Sequence, residues 1–250
     1  MRPRANRRIS QIPPQGDFWI QALRLLIDNG ASVHEVVLNK TLAMLNICPH
    51  NYTPKTVEFF YILQSANYVD FDAADKQGWP ALLTAIKSKG EAVRALEILT
   101  ANGVDMNKIL DDGRCALHLA AELADDVDVL EYLYSVCSAD KLDRRDILGW
   151  TPIHYAVISE FHGYSSGSLQ KIKFFIEMGA DIEKLGIHNR FLCPVKTDKE
   201  QYTPYELCQS LKPELYEGFK DAMRAVGRPL PDDMEDELFQ DAQEHPVNSQ

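Results

Sequence analysis

Cysteine is scarce and scattered. The five residues, at positions 48, 115, 137, 193 and 208, form no Cys-x-x-Cys pair and no metal-finger spacing. That argues against a disulfide framework or a zinc centre and leaves reduced, buried thiols in a cytosolic or nuclear protein. No apolar run reaches the ~18 residues that crossing a bilayer requires. No apolar segment follows Met1, so neither a secretory leader nor membrane attachment is expected. Positive charge is in deficit: 26 Lys and Arg face 37 Asp and Glu, a net charge of −11. A general nucleic-acid binder needs a basic stripe, so none is expected here. There is no Gly-x-x-x-x-Gly-Lys phosphate loop and no Gly-x-Ser-x-Gly elbow. Asp125, Asp126 and Asp128 lack the alternating oxygens and final glutamate of a calcium loop. What is present is 45% apolar and 25% charged residues, the composition of a folded soluble protein.

The informative stretch runs from Asp146 to Ala156: Asp-Ile-Leu-Gly-Trp-Thr-Pro-Ile-His-Tyr-Ala. Gly149 suits a turn that needs positive φ. Thr151 is a good N-cap, and Pro152 fits the first helical position, where no donor is required. The predicted helix is too short to stand alone and must lean on a neighbour. Neighbours exist because the stretch recurs. Asp75–Ala85 reads Asp-Lys-Gln-Gly-Trp-Pro-Ala-Leu-Leu-Thr-Ala, and Asp112–Ala121 reads Asp-Gly-Arg-Cys-Ala-Leu-His-Leu-Ala-Ala. Gly78 to Gly113 is 35 positions and Gly113 to Gly149 is 36. A second signature keeps the same beat at Leu26-Ile-Asp-Asn-Gly-Ala, Leu99-Thr-Ala-Asn-Gly-Val-Asp and Ile176-Glu-Met-Gly-Ala-Asp. Each reads as an apolar helix closed by a left-handed glycine. Two interleaved signatures at one period mark a repeat array.

The Gly-x-Thr-Pro-Ile-His-x-Ala block and the Leu-Leu-x-x-Gly-Ala-Asp block resemble the ankyrin repeat, over roughly residues 17–226. The copy at Gly78 departs from the pattern, with Leu83 where the family has His, and the copy between 31 and 66 is degenerate. The resemblance implies an all-α, ankyrin-like solenoid of about five helix-pair repeats with connecting turns, short hairpin fingers and terminal caps. It also implies a structural role for His118 and His154, whose slot in the family ties the turns of successive repeats together. Residues 1–16, with Arg2, Arg4, Arg7 and Arg8, read as a disordered basic arm or an import signal. Residues 227–250 read as a disordered acidic tail, or one that folds back on that arm.

Solenoids expose a concave face of turn tips and inner helices. The position after the turn glycine holds Trp79, Arg114, Trp150 and Tyr202, with Lys40 aligned to it in the degenerate copy. Trp, Tyr and Arg dominate interface hot spots, so this column is expected to bind a partner. Lys76, Gln77, Asp111, Ile147 and Leu148 would form the rim. The step from Gly179 to Gln201 is 22 positions, against 10 from Gly103 to Gly113, so a long finger spans 183–200. Its Arg190 and Phe191 either join the contact surface or cover the end of the stack. No nucleophile–base pair is found, so the expected function is a non-catalytic protein-interaction scaffold, without cofactor or metal and monomeric outside its complex. The alternatives are an accessory subunit of an enzyme complex, or a nuclear regulator that uses the basic arm for import.

Overall fold

The computed structural model describes residues 24–25, 28–29, 56–65, 71, 79–159, 167–189 and 199–231. Outside them lie the basic arm, most of the first expected helix, Lys40 and the degenerate repeat as far as residue 55. Lys76, Gln77, residues 160–166, Arg190, Phe191 and the acidic tail beyond residue 231 also lie outside. The chain divides into two compact units, Met1–Asp105 and Met106–Gln250. The described structure is all-α apart from one two-residue ladder.

In the first unit, α1 spans Thr56–Ser65, α2 Pro80–Ile86 and α3 Ala92–Ala101. Pro80 opens α2, where its missing N–H costs nothing. α2 packs on α3, and α3 on α1, around fully buried Phe60, Leu63, Leu82, Ile86, Leu96 and Leu99. The Glu91 carboxylate accepts the Val57 amide at 3.3 Å. It thus satisfies a donor at the start of α1, where negative charge is favoured.

The second unit repeats a helix pair three times. α4 (Ala116–Leu123) precedes α5 (Asp128–Val136), and α6 (Pro152–Ile158) precedes α7 (Ser168–Glu177). α8 (Pro204–Leu211) precedes α9 (Pro213–Ala225). The inner helices α4, α6 and α8 contact one another in succession, and each packs on its own outer helix. None exceeds 13 residues, so each depends on tertiary packing rather than propensity. Ala116, Ala120 and Ala121 are wholly buried and let α6 approach α4 closely. Gly218 does the same for α9 on α7, since a Cβ there would come 2.3 Å from Leu169 Cδ1.

Hairpin fingers precede the inner helices. The Leu110 amide donates to Arg114 O at 2.9 Å, and one repeat later the Asp146 amide donates to Trp150 O at 2.9 Å. Gly113 and Gly149 take φ of 85° and 77° at the two turns, a conformation glycine adopts without Cβ strain. Adjacent fingers are joined by backbone bonds: Ile147 N to Asp112 O at 2.9 Å, and Ile187 N to Leu148 O at 2.7 Å. The long finger closes on an antiparallel ladder of β1 (Gly186–Ile187) and β2 (Gln201–Tyr202), with Gly186 opposite Tyr202.

Candidate partner-binding surface

His118 and His154 sit in the first turns of α4 and α6 and bridge repeats as expected. The Cys115 amide donates to His118 Nδ1 at 3.1 Å, and the Thr151 amide to His154 Nδ1 at 3.0 Å. An amide can only donate, so both Nδ1 atoms are acceptors and the protons reside on Nε2. From there His118 reaches Trp150 O at 3.1 Å and His154 reaches Tyr202 O at 3.3 Å. Burial disfavours the imidazolium and pushes both pKa values down to about 4. These rings are neutral and committed to the backbone. Cys115 stands where the two following copies have Thr151 and Thr203, and burial raises its thiol above the usual range.

The aromatic column behaves differently from the expectation. Trp79, Trp150 and Tyr202 are 5%, 2% and 5% exposed. They are core residues in this fold, not an open row of contact residues. The reason is clearest at Trp150. Its indole Nε1 donates to Ile187 O at 2.8 Å, and its ring packs 5.5 Å from those of His154 and Tyr155. The following finger passes directly over it at Gly186, where a Cβ would stand 2.5 Å from Trp150 Cδ1. At this copy the slot after the turn glycine therefore lies beneath the next finger, and Trp150 fills the joint between the two repeats.

Arg114 keeps a partly open position but is not available as a lone cation. Its Nε bonds Asp112 at 2.6 Å and its Nη1 bonds Glu122 at 3.2 Å. The guanidinium lies 6.0 Å over the Tyr155 ring. The inner helices α4 and α6 offer little open surface. All of α6 is buried, and in α4 only Glu122 and Leu123 reach the surface.

What remains outward is the row of finger tips. Ile147 is 70% exposed, Ile187 46% and Leu185 40%, with Leu148 half-buried beside them. The tip that carries Ile147 is held rigidly. Asp146 Oδ1 accepts the amides of Leu148 and Trp150, each at 2.8 Å, and Oδ2 accepts the Tyr155 hydroxyl at 2.7 Å. Burial raises the Asp146 pKa, while Tyr155 and the two amides oppose the rise. Arg145 straps the tip to the next finger, its Nη2 donating to Leu185 O at 2.6 Å. The sequence pointed to Ile147 and Leu148 and to the long finger that carries Leu185 and Ile187, but not to the Asp146–Tyr155 pair. An Asp four residues before the aromatic slot was a usable signal for the tip. The pairing of Asp146 with Tyr155, on the following helix, was not.

Among the described residues no group of three or more His, Cys, Asp or Glu is placed to hold a metal ion. No described helix is long and apolar enough to cross a membrane. A comparison with curated proteins gives no match. Residues 82–185 match a family model described as ankyrin repeats, in 3 copies. Proteins of that family are generally protein–protein interaction modules and typically non-catalytic. The histidine bridges, the left-handed turn glycines and the paired helices agree with that match, and residues 82–185 are ankyrin repeats.

Proposed function

We propose that this protein is a non-catalytic scaffold that holds a protein partner on the finger tips of its repeats, around Ile147 and Ile187. The observation that carries the reading is Ile147, 70% exposed on a tip that Asp146, Tyr155 and Arg145 lock in place. A large apolar side chain presented on rigid backbone loses little entropy on binding and gains its burial in full. A non-catalytic role agrees with the commitment of His118 and His154 to backbone carbonyls. The thiols of Cys115 and Cys208, both buried, agree with residence in the reducing cytoplasm or nucleus.

The test is affinity purification of the full chain and of Ile147→Ser/Ile187→Ser from the same cells, with quantitative mass spectrometry. Loss of a saturable partner from the double variant, with a melting temperature within about 2 °C of the parent, supports the scaffold. An unchanged partner set refutes the assignment of the tips.

A further inference from the structure

The charge around the finger that holds Asp111 and Asp112 is lopsided. Residues 106–131 carry seven carboxylates against Lys108 and Arg114, so this one repeat holds −5 of the chain's net −11. The acids run from the finger tip to the loop after α4. Asp111 stands exposed at the tip. Asp112 follows it, and Arg114 links Asp112 to Glu122 at the far end of α4. Exposed Asp126 lies in the loop just beyond. Arg114 cannot answer a partner's acid, because both of its neighbours already neutralise it. Two exposed apolar residues flank the path. Ile109 is 37% exposed on the same hairpin. Ile147, at 70%, hangs from Asp112 through the Ile147 N to Asp112 O bond of 2.9 Å.

We infer that this surface takes a protein segment that is both cationic and apolar, with arginines or lysines along the Asp111–Glu122–Asp126 path and an apolar side chain against Ile147. The inference rests on the scaffold reading and narrows it to one class of partner. An acidic segment would meet unbalanced carboxylates here, and like charges at an interface are costly. A purely apolar one would cover exposed Asp111 and Asp126 without bringing them a counter-charge. A cationic segment without apolar residues would leave Ile147 uncovered.

The experiment uses the full-length chain and three fluorescein-labelled twelve-residue peptides: alternating Leu and Arg, alternating Ser and Arg, and alternating Leu and Glu. Fluorescence anisotropy is read at about 50 mM and about 300 mM salt, since screening separates exposed charge contacts from apolar ones. The Leu/Arg peptide is expected to bind most tightly and to weaken with salt. Ile147→Ser should weaken it about ten-fold, from the loss of one buried aliphatic side chain. Asp111→Asn with Asp126→Asn should weaken it about five-fold, the sum of two exposed charge contacts. A control of equal charge change, Glu214→Gln with Glu217→Gln on exposed positions of α9, should leave it unchanged. Equal loss from that control would reduce the effect to net charge and overturn the inference. So would equal affinity for the Leu/Glu peptide, or no binding of the Leu/Arg peptide at about 100 µM, a level far weaker than a specific interface. Loss of the cellular partner from Ile147→Ser/Ile187→Ser without any preference among the peptides would leave the scaffold standing and sink this inference alone.

Discussion

Replacing Trp150 tests whether the residue after the turn glycine belongs to the partner surface or to the joint between repeats. The ring is 2% exposed, packs on His154 and Tyr155, and donates its indole N–H to Ile187 O. Trp150→Ala deletes that packing and leaves a void beneath Gly186, a change that costs about 3–5 kcal/mol in a packed core. For a chain of this size the melting temperature should fall by roughly 6–20 °C. Trp150→Phe keeps most of the ring but strands the Ile187 carbonyl, at about 0.5–1.5 kcal/mol. Ile147→Ala, at an exposed position, should stay within about 0.5 kcal/mol of the parent. Thermal unfolding followed by far-ultraviolet circular dichroism orders the three variants. The reasoning fails if Trp150→Ala melts within about 2 °C of the parent while partner binding is lost, because the ring would then be a surface contact.

Three further outcomes follow from the same geometry. His118 and His154 have pKa values of about 4 in the fold, against about 6.5 when unfolded. The unfolded chain therefore binds their protons first. Each contributes stability that is present above pH 6.5 and lost as pH falls toward 4, about 3 kcal/mol per histidine; urea unfolding across that window should show it, and His118→Gln should flatten the slope. Lys171 is 1% exposed and donates its ammonium to Ala121 O at 3.1 Å, at the C-terminal end of α4. Lys171→Met retains the aliphatic stem, and denaturant titration should find it about 1–3 kcal/mol less stable for the loss of that charged bond. Gly186→Ala drives a Cβ to 2.5 Å from the Trp150 ring; an overpacking cost of about 1–3 kcal/mol should appear as a lower melting temperature and altered tryptophan emission.

Much of the architecture was legible because it is written locally and repeated. Thr151-Pro152 starts a helix on cap chemistry alone, and α6 begins at Pro152 as that chemistry requires. The spacing of the turn glycines set the repeat length, and Gly113 and Gly149 take positive φ; Gly186 and Gly218, which lie in β1 and α9, serve close packing instead. The last helix ends at Ala225, at the edge of the 17–226 span expected for the repeats. The histidine bridges followed from the family slot, and they hold at both positions.

The surface was legible only in part. The amino-acid sequence by itself determined the period, the helix starts, the left-handed turns and the excess of acid in one repeat, because each depends on residues within a few positions of one another. It could not say whether Trp150 and Tyr202 face a partner or the next finger. That depends on where residues 37 and more positions away pass, and Ile187 over Trp150 settles it. In the same way Arg114 reads as a free cation until folding brings Glu122 to its Nη1. Exposure is a property of the assembled repeats. Tertiary structure therefore buried the aromatic column and left Ile147 outside.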